Sequence, residues 1–143
     1  MDELDQGILA ALSVDARIPL ATLARRLQVA RSTLQTRLER LEATGAITGY
    51  TIKLGDALRR GRIRASVLLT IEPRGQAAIL ARLKTMPEVE RVHTTSGRFD
   101  LLLEISAEGT AALDSALDRL GTIPGVRGSE SLIHLTTRID RAP

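Results

Sequence analysis

"LATLARRLQVARSTLQTRLERL", residues 20–41, decides how the first half of the chain is read. Leu20, Leu23, Ala24 and Leu27 share one face of a helix, and Leu34, Leu38 and Leu41 recur at i, i+4 and i+7 on the next. The intervening "QVA", residues 28–30, is too short for anything but a turn. Small Ala24 suits a close crossing of the two helices. Upstream, Leu4, Ile8, Leu9 and Leu12 give an earlier helical face, broken by "DARIPL" at residues 15–20. Pro19 has no amide to donate and restricts Ile18, which places it in the first turn of the second helix. The third helix is expected to run to about Thr44, with Gly45 as its carboxy-terminal stop. Three short helices, the last two joined by a tight turn, make a helix-turn-helix pattern.

The charge distribution gives the third helix a purpose. The net charge of +3 is modest, but residues 17–40 hold six arginines (Arg17, Arg25, Arg26, Arg31, Arg37 and Arg40) against Glu39 alone. Residues 1–15 carry Asp2, Glu3, Asp5 and Asp15 and no base, and the chain from residue 61 onward is nearly neutral. A helix with one apolar stripe and a hydroxyl, amide and guanidinium surface fits nucleic acid, or else a solvated surface. Aromatic residues are only 1%, so base stacking on aromatic platforms is nearly excluded and a duplex is the better partner. With no cysteine there is no disulfide, thiolate metal site or cysteine nucleophile. No apolar run reaches the roughly 18 residues of a membrane span, and "MDELDQG" does not resemble a signal peptide. These features predict a soluble cytoplasmic protein.

The second half reads differently. "AITGYTIKL" alternates and is rich in β-branched residues, which predicts a strand near 50–54, and "GDALRRGR", residues 55–62, reads as a linker. From residue 62 the order is strand ("RIRASVLLTIEP"), helix ("GQAAILARLKTM"), two strands around a turn at Gly97-Arg98, helix ("GTAALDSALDRLGTI") and strand ("GVRGSESLIHLTTRI"). A β-α-β-β-α-β unit predicts a four-stranded antiparallel sheet with both helices on one face. The other face carries Val67, Leu69 and Ile71 or their neighbours. Nothing remains in the chain to cover it, so a second copy is expected and the protein is at least a dimer. The fold class is α+β. The domain limits expected are 1–49 for the helix-turn-helix, 50–62 for a connecting strand and linker, and 63–143 for the βαββαβ unit.

A basic helix-turn-helix running through "LERLEATGAITGYT" (38–51), followed by β-α-β-β-α-β with "SGRFDLLLEI" (96–105), resembles the Lrp/AsnC, or feast/famine, family of bacterial and archaeal regulators. The resemblance covers about residues 4–139. It implies a winged-helix-like DNA-binding domain, a ferredoxin-like effector domain of the RAM type, and pairing through the latter into dimers that assemble into octamers or larger discs. It also implies a small effector, commonly an amino acid, that tunes assembly and DNA affinity.

In such proteins the third helix enters the major groove with its amino-terminal residues against base edges. Here these are Arg31, Ser32, Thr33, Gln35 and Thr36, with Arg37 and Arg40 further along. Arg reaches guanine O6 and N7, and Gln reaches adenine N6 and N7. Arg25 and Arg26 on the preceding helix suit phosphates. The alternative is that some of these arginines are solvated or paired with Glu39 and Glu42. The family usually has Gly-Leu-Ser-Pro where this chain has Gln28-Val29-Ala30-Arg31. Gln tolerates positive φ poorly and Ala cannot cap, whereas Ser32 and Gln35 have capping-box spacing. The helix is therefore expected either to start late or to carry a weak cap.

The effector site implied by the resemblance is Gly97-Arg98-Phe99-Asp100, where the family usually has Gly-Asp-Tyr/Phe-Asp, together with the hydroxyls of Ser129 and Ser131. It lies where dimers meet. Gly97 exposes backbone, and Asp100 suits an ammonium group. Arg98 in place of Asp prefers a carboxylate or phosphate, which predicts a more acidic effector. Alternatively, Arg98 pairs with Asp100 or a neighbouring subunit's glutamate and no effector binds. His93 and His134, the only histidines, fall on predicted strands that can be neighbours but lack a clear carboxylate partner, so neither a metal nor a cofactor is expected. No nucleophile elbow, P-loop or dinucleotide fingerprint is present, and the protein is not expected to be an enzyme. Two alternatives stand beside the sequence-specific regulator. One is a nucleoid-associated protein that binds DNA by shape. The other is an enzyme resembling the sirohaem decarboxylases, which share the overall fold and would recruit Arg98 and His93.

Overall fold

The computed structural model describes residues 1–142, which form two compact units, one of Met1–Lys53 together with residues 141–142 and one of Leu54–Asp140. In the first unit, α1 spans Glu3–Val14, α2 Leu20–Arg26 and α3 Arg31–Ala43. Helix α1 opens on a reciprocal capping box. The Asp2 carboxylate accepts the Asp5 amide at 3.0 Å, and the Asp5 carboxylate accepts the Asp2 amide at 3.3 Å. Pro19 stands at the N-cap of α2, one position before the first turn where it was expected. Ile8, Leu23 and Leu34 are fully buried where the three helices meet, with Ile18, Ala24 and Leu41 around them.

The turn between α2 and α3 answers the question of the late start. Ala30 is the N-cap of α3, in extended conformation and with no side-chain cap, and Ser32 lies inside the helix. The helix starts on time with a bare cap. Gln28 takes φ +58°, the left-handed conformation that glycine adopts without strain. Helix α3 ends before Gly45 at φ +77°.

Residues 50–54 are not a strand. Alternation and β-branching favour a half-buried ladder position, and no described residue offers this segment a ladder to join. Tyr50, Ile52 and Leu54 are exposed. Part of the expected linker is instead a one-turn helix, α4, at Asp56–Arg59.

In the second unit, β1 spans Arg62–Ile71, α5 Gln76–Leu83, β2 Val89–Thr94, β3 Leu101–Glu108, α6 Thr110–Gly121 and β4 Val126–Ile133. The strands form one antiparallel sheet in the order β2-β3-β1-β4. Ala65, Val67, Leu69 and Ile71 alternate inward from β1 and meet Leu101, Leu103 and Ile105 of β3. Ile79 and Leu83 of α5 and Leu113 and Leu120 of α6 close over them. Val67, Leu69 and Ile71 are thus covered, and it is their neighbours Ser66, Leu68 and Thr70 that face away from the helices. There Leu68 pairs with Leu102 of β3 on one side and Glu130 of β4 on the other. His93 sits on β2 and His134 just beyond β4, at opposite edges of the sheet rather than on adjacent strands. Among the described residues no helix is long and apolar enough to cross a membrane.

Candidate functional site

Helix α3 presents two kinds of polar residue. Leu34 and Leu41 turn fully into the core and Leu38 partly so, which leaves Arg31, Ser32, Thr33, Gln35 and Thr36 exposed. Arg25 and Arg26 are exposed at the end of α2. Gln35 Nε2 donates to Glu39 at 2.8 Å, and the Thr36 hydroxyl donates to the Ser32 carbonyl at 3.0 Å. Arg31, Ser32 and Thr33 point no side-chain hydrogen bond at another described residue. The first turn of α3 therefore offers a guanidinium and hydroxyls free to meet a groove.

Arg37 and Arg40 are engaged inside the unit. The Arg37 guanidinium bonds the Asp2 carboxylate and lies 3.3 Å from Asp5, and Arg40 reaches Asp5 at 2.6 Å. Neither pairs with Glu39 or Glu42, the partners that the neighbouring sequence offers; Glu42 instead accepts the Tyr50 hydroxyl at 2.7 Å. Asp5 is fully buried. An isolated buried carboxylate is costly, and the two arginines together with the Asp2 amide compensate it. The electrostatics follow this geometry. The Asp5 amide, and after it Arg37, hold the Asp2 carboxyl down at about 2. Burial pushes Asp5 up, but the Asp2 amide and Arg37 outweigh it, so its carboxyl stays below its ordinary value. The hydrogen bonds that Arg37 donates to Asp2 and Asp5 raise its own value. Sequence reading missed this cluster. Its signal was an aspartate pair at capping-box spacing in a chain whose residues 17–40 hold six arginines against one glutamate.

In the second unit the expected effector residues lie at one level of the sheet but on different sides. Asp100 donates its amide to the Leu69 carbonyl at 2.8 Å, and Leu69 pairs across β1 with Ser129. Ser129 and Ser131, opposite Leu69 and Val67, turn to the helix-bearing side and are exposed at the sheet edge. Arg98 belongs with the other side. Its guanidinium lies 3.7 Å from Glu130, the partner of Leu68, and 5.0 Å from the centroid of the Phe99 ring. One carboxylate oxygen of Asp100 is occupied by the Ile71 amide at 2.8 Å. Gly97 takes φ +114° with open space around it. Within the chain, the partner of Arg98 is therefore Glu130 rather than Asp100.

The profile of the AsnC-type helix-turn-helix domain matches residues 1–42, and that of the Lrp/AsnC ligand binding domain matches residues 64–143. The HTH-type transcriptional regulator LysM of Saccharolobus solfataricus is 30% identical over 138 residues, which span 96% of this chain and 95% of that protein. The structure of E. coli AsnC superimposes with a TM-score of 0.90 at 27% identity, covering 100% of this chain and 97% of that one. A feast or famine regulatory protein from M. tuberculosis, solved in complex with L-methionine, superimposes with a TM-score of 0.86 at 29% identity and covers 97% of this chain and 95% of that one.

Proposed function

The chain belongs to the Lrp/AsnC family, and from that premise we propose that it is a sequence-specific DNA-binding transcriptional regulator whose assembly and DNA affinity respond to a small effector, an amino acid or related metabolite. The observation that carries the reading is the exposed first turn of α3, where Arg31, Ser32 and Thr33 stand free beside Gln35 and Thr36 while the leucines of the same helix are buried. Arg31 and Gln35 read base edges, and Arg25 and Arg26 take phosphates. Arg37 and Arg40 stand further along the same helix. The effector residues are Gly97, Arg98, Phe99, Asp100, Ser129 and Ser131. The L-methionine complex of the M. tuberculosis relative supports an amino acid as ligand. Leu68 and Leu102, half-exposed on the helix-free side of the sheet, with exposed Leu132 beside them, support a homodimer that assembles further. The protein works in the cytoplasm and catalyses no reaction.

The test is selection of bound duplexes from a random pool at near-physiological salt, using the full chain. An enriched palindromic motif is the expected result. Retention of DNA without enrichment would move the protein to shape-based nucleoid binding, and no retention would sink the reading.

A further inference from the structure

Asp2 and Asp5 hold two arginines of the proposed DNA-reading helix, and the capping geometry of α1 shows what that hold does. Both carboxylates serve two masters. Each accepts a backbone amide of α1, and each pairs with a guanidinium of α3, more than 30 residues away. Arg37 is reached from two sides and only 27% of its side chain is exposed, whereas Arg31 is open to solvent. A guanidinium fixed by two carboxylates has its donors directed inward and its charge neutralised, so it offers little to a phosphate. Arg40, with Asp5 on one side and half of its side chain exposed, retains some reach.

We propose that Asp2 and Asp5 are positioning residues for the DNA-reading helix. They tie α3 to the start of α1 through Arg37 and Arg40, keep Arg37 off the DNA backbone, and so leave recognition to Arg31, Ser32, Thr33 and Gln35. This rests on the DNA-binding reading above. The consequence is selectivity. A phosphate contact adds affinity to every sequence equally, and withholding one raises the share of binding that depends on base edges.

The residue types allow the ion pair to be removed without the cap. Asparagine caps a helix about as well as aspartate, so Asp2→Asn keeps the bond from the Asp5 amide and loses only the charge on Arg37. Glu3→Gln removes the same charge from an exposed neighbour that makes no ion pair among the described residues. DNA binding by the chain and these variants is measured across a salt series, on the selected site and on a scrambled duplex. The expected result for Asp2→Asn is a log–log salt slope steeper by roughly 0.9, the contribution of one more phosphate contact. Affinity for scrambled DNA rises several-fold and the selectivity ratio falls. Glu3→Gln keeps the parent slope, and the double variant Asp2→Asn/Arg37→Gln returns to it. An unchanged slope in Asp2→Asn, an equal change in Glu3→Gln, or a double variant that stays steep would overturn the proposal. If the parent binds no DNA, the functional reading fails on its own, and thermal melts decide the tie. Melting shifts of Asp2→Asn and Arg37→Gln that do not add support it, and shifts that simply add overturn it.

Discussion

Asp100 grips the end of β1 twice. Its amide donates to the Leu69 carbonyl and its carboxylate accepts the Ile71 amide, each at 2.8 Å. The pairing of β1 with β3 ends at Leu69 and Leu101, so beyond it the Ile71 amide is served from the β3 side by a side chain. Ile71 is buried, and its amide would otherwise have no partner. Asp100→Ala is expected to destabilise the unit by about 1–3 kcal/mol, the cost of a buried donor left unsatisfied. Asp100→Asn keeps an acceptor and should retain most of the stability in urea unfolding. The same pair separates the two roles of this residue. An Asn variant that is stable but has lost amino-acid binding would assign the charge to the effector, and one that binds like the parent would assign Asp100 to the fold alone.

Acid should loosen the first unit in a defined window. Asp2 is held at about 2 and Asp5 is held below its ordinary value of 3.8. Both are depressed in the folded state, so the unfolded state binds protons first as pH falls. The stability they contribute is complete above about pH 4 and is lost as pH drops toward 2. Tyr50 is the only tyrosine and there is no tryptophan, so its fluorescence reports this unit. Thermal midpoints followed this way are expected to fall between pH 4 and pH 2 in the parent and to fall less in Asp2→Asn. Equal pH dependence in the two would show that the ion pair adds nothing to stability.

Much of this architecture is legible along the chain because its periods are clean. Leu34, Leu38 and Leu41 at helical spacing name the buried face of α3, whereas Val67, Leu69 and Ile71 at spacing two separate the two faces of β1 without telling which one the helices cover. What stays hidden depends on partners distant in sequence. Residues 50–54 have strand composition, but composition does not supply a neighbouring ladder. Asp2 and Asp5 satisfy a local capping rule so well that nothing nearby suggests their second partners on α3. Ser129 and Ser131 differ from Glu130 by one position, and that parity puts them on the opposite side of the sheet from the Arg98–Glu130 pair.

Tyr50 provides a second titration. Although the residue as a whole is exposed, loss of water around its phenol and, after it, the hydrogen bond to Glu42 push that group up to about 12 from the usual 10.0. The folded state therefore keeps its proton longer than the unfolded one. The stability this contributes is present below pH 10 and disappears as pH rises through 12. Tyrosinate absorbance at alkaline pH should show one transition near 12. Glu42→Gln removes the carboxylate but not the burial, so the midpoint should move part of the way back toward 10. A parent midpoint at 10 would mean that the 48–53 segment does not hold Tyr50 against α3 in solution.

The turn before α3 can be improved at both of its weak points. Gln28 occupies φ +58°, where an L-residue with a side chain pays roughly 1–2 kcal/mol relative to its preferred conformations. Gln28→Gly relieves that strain but enlarges the conformational freedom of the unfolded chain, so the net gain is about 0.5–1 kcal/mol. Ala30 has N-cap geometry with nothing to accept the amides of the first turn of α3. Ala30→Ser supplies an acceptor and should add about 1 kcal/mol. Two positions in one turn share its backbone, so the double variant need not give the full sum. Thermal unfolding of the two single variants and the double checks both effects. Failure of Ala30→Ser to stabilise would indicate that the amides at the start of α3 are already well served by water. That is the condition expected of a helix end kept open for the oxygen of a phosphate, and DNA affinity of the same variant would then fall as the serine hydroxyl takes its place.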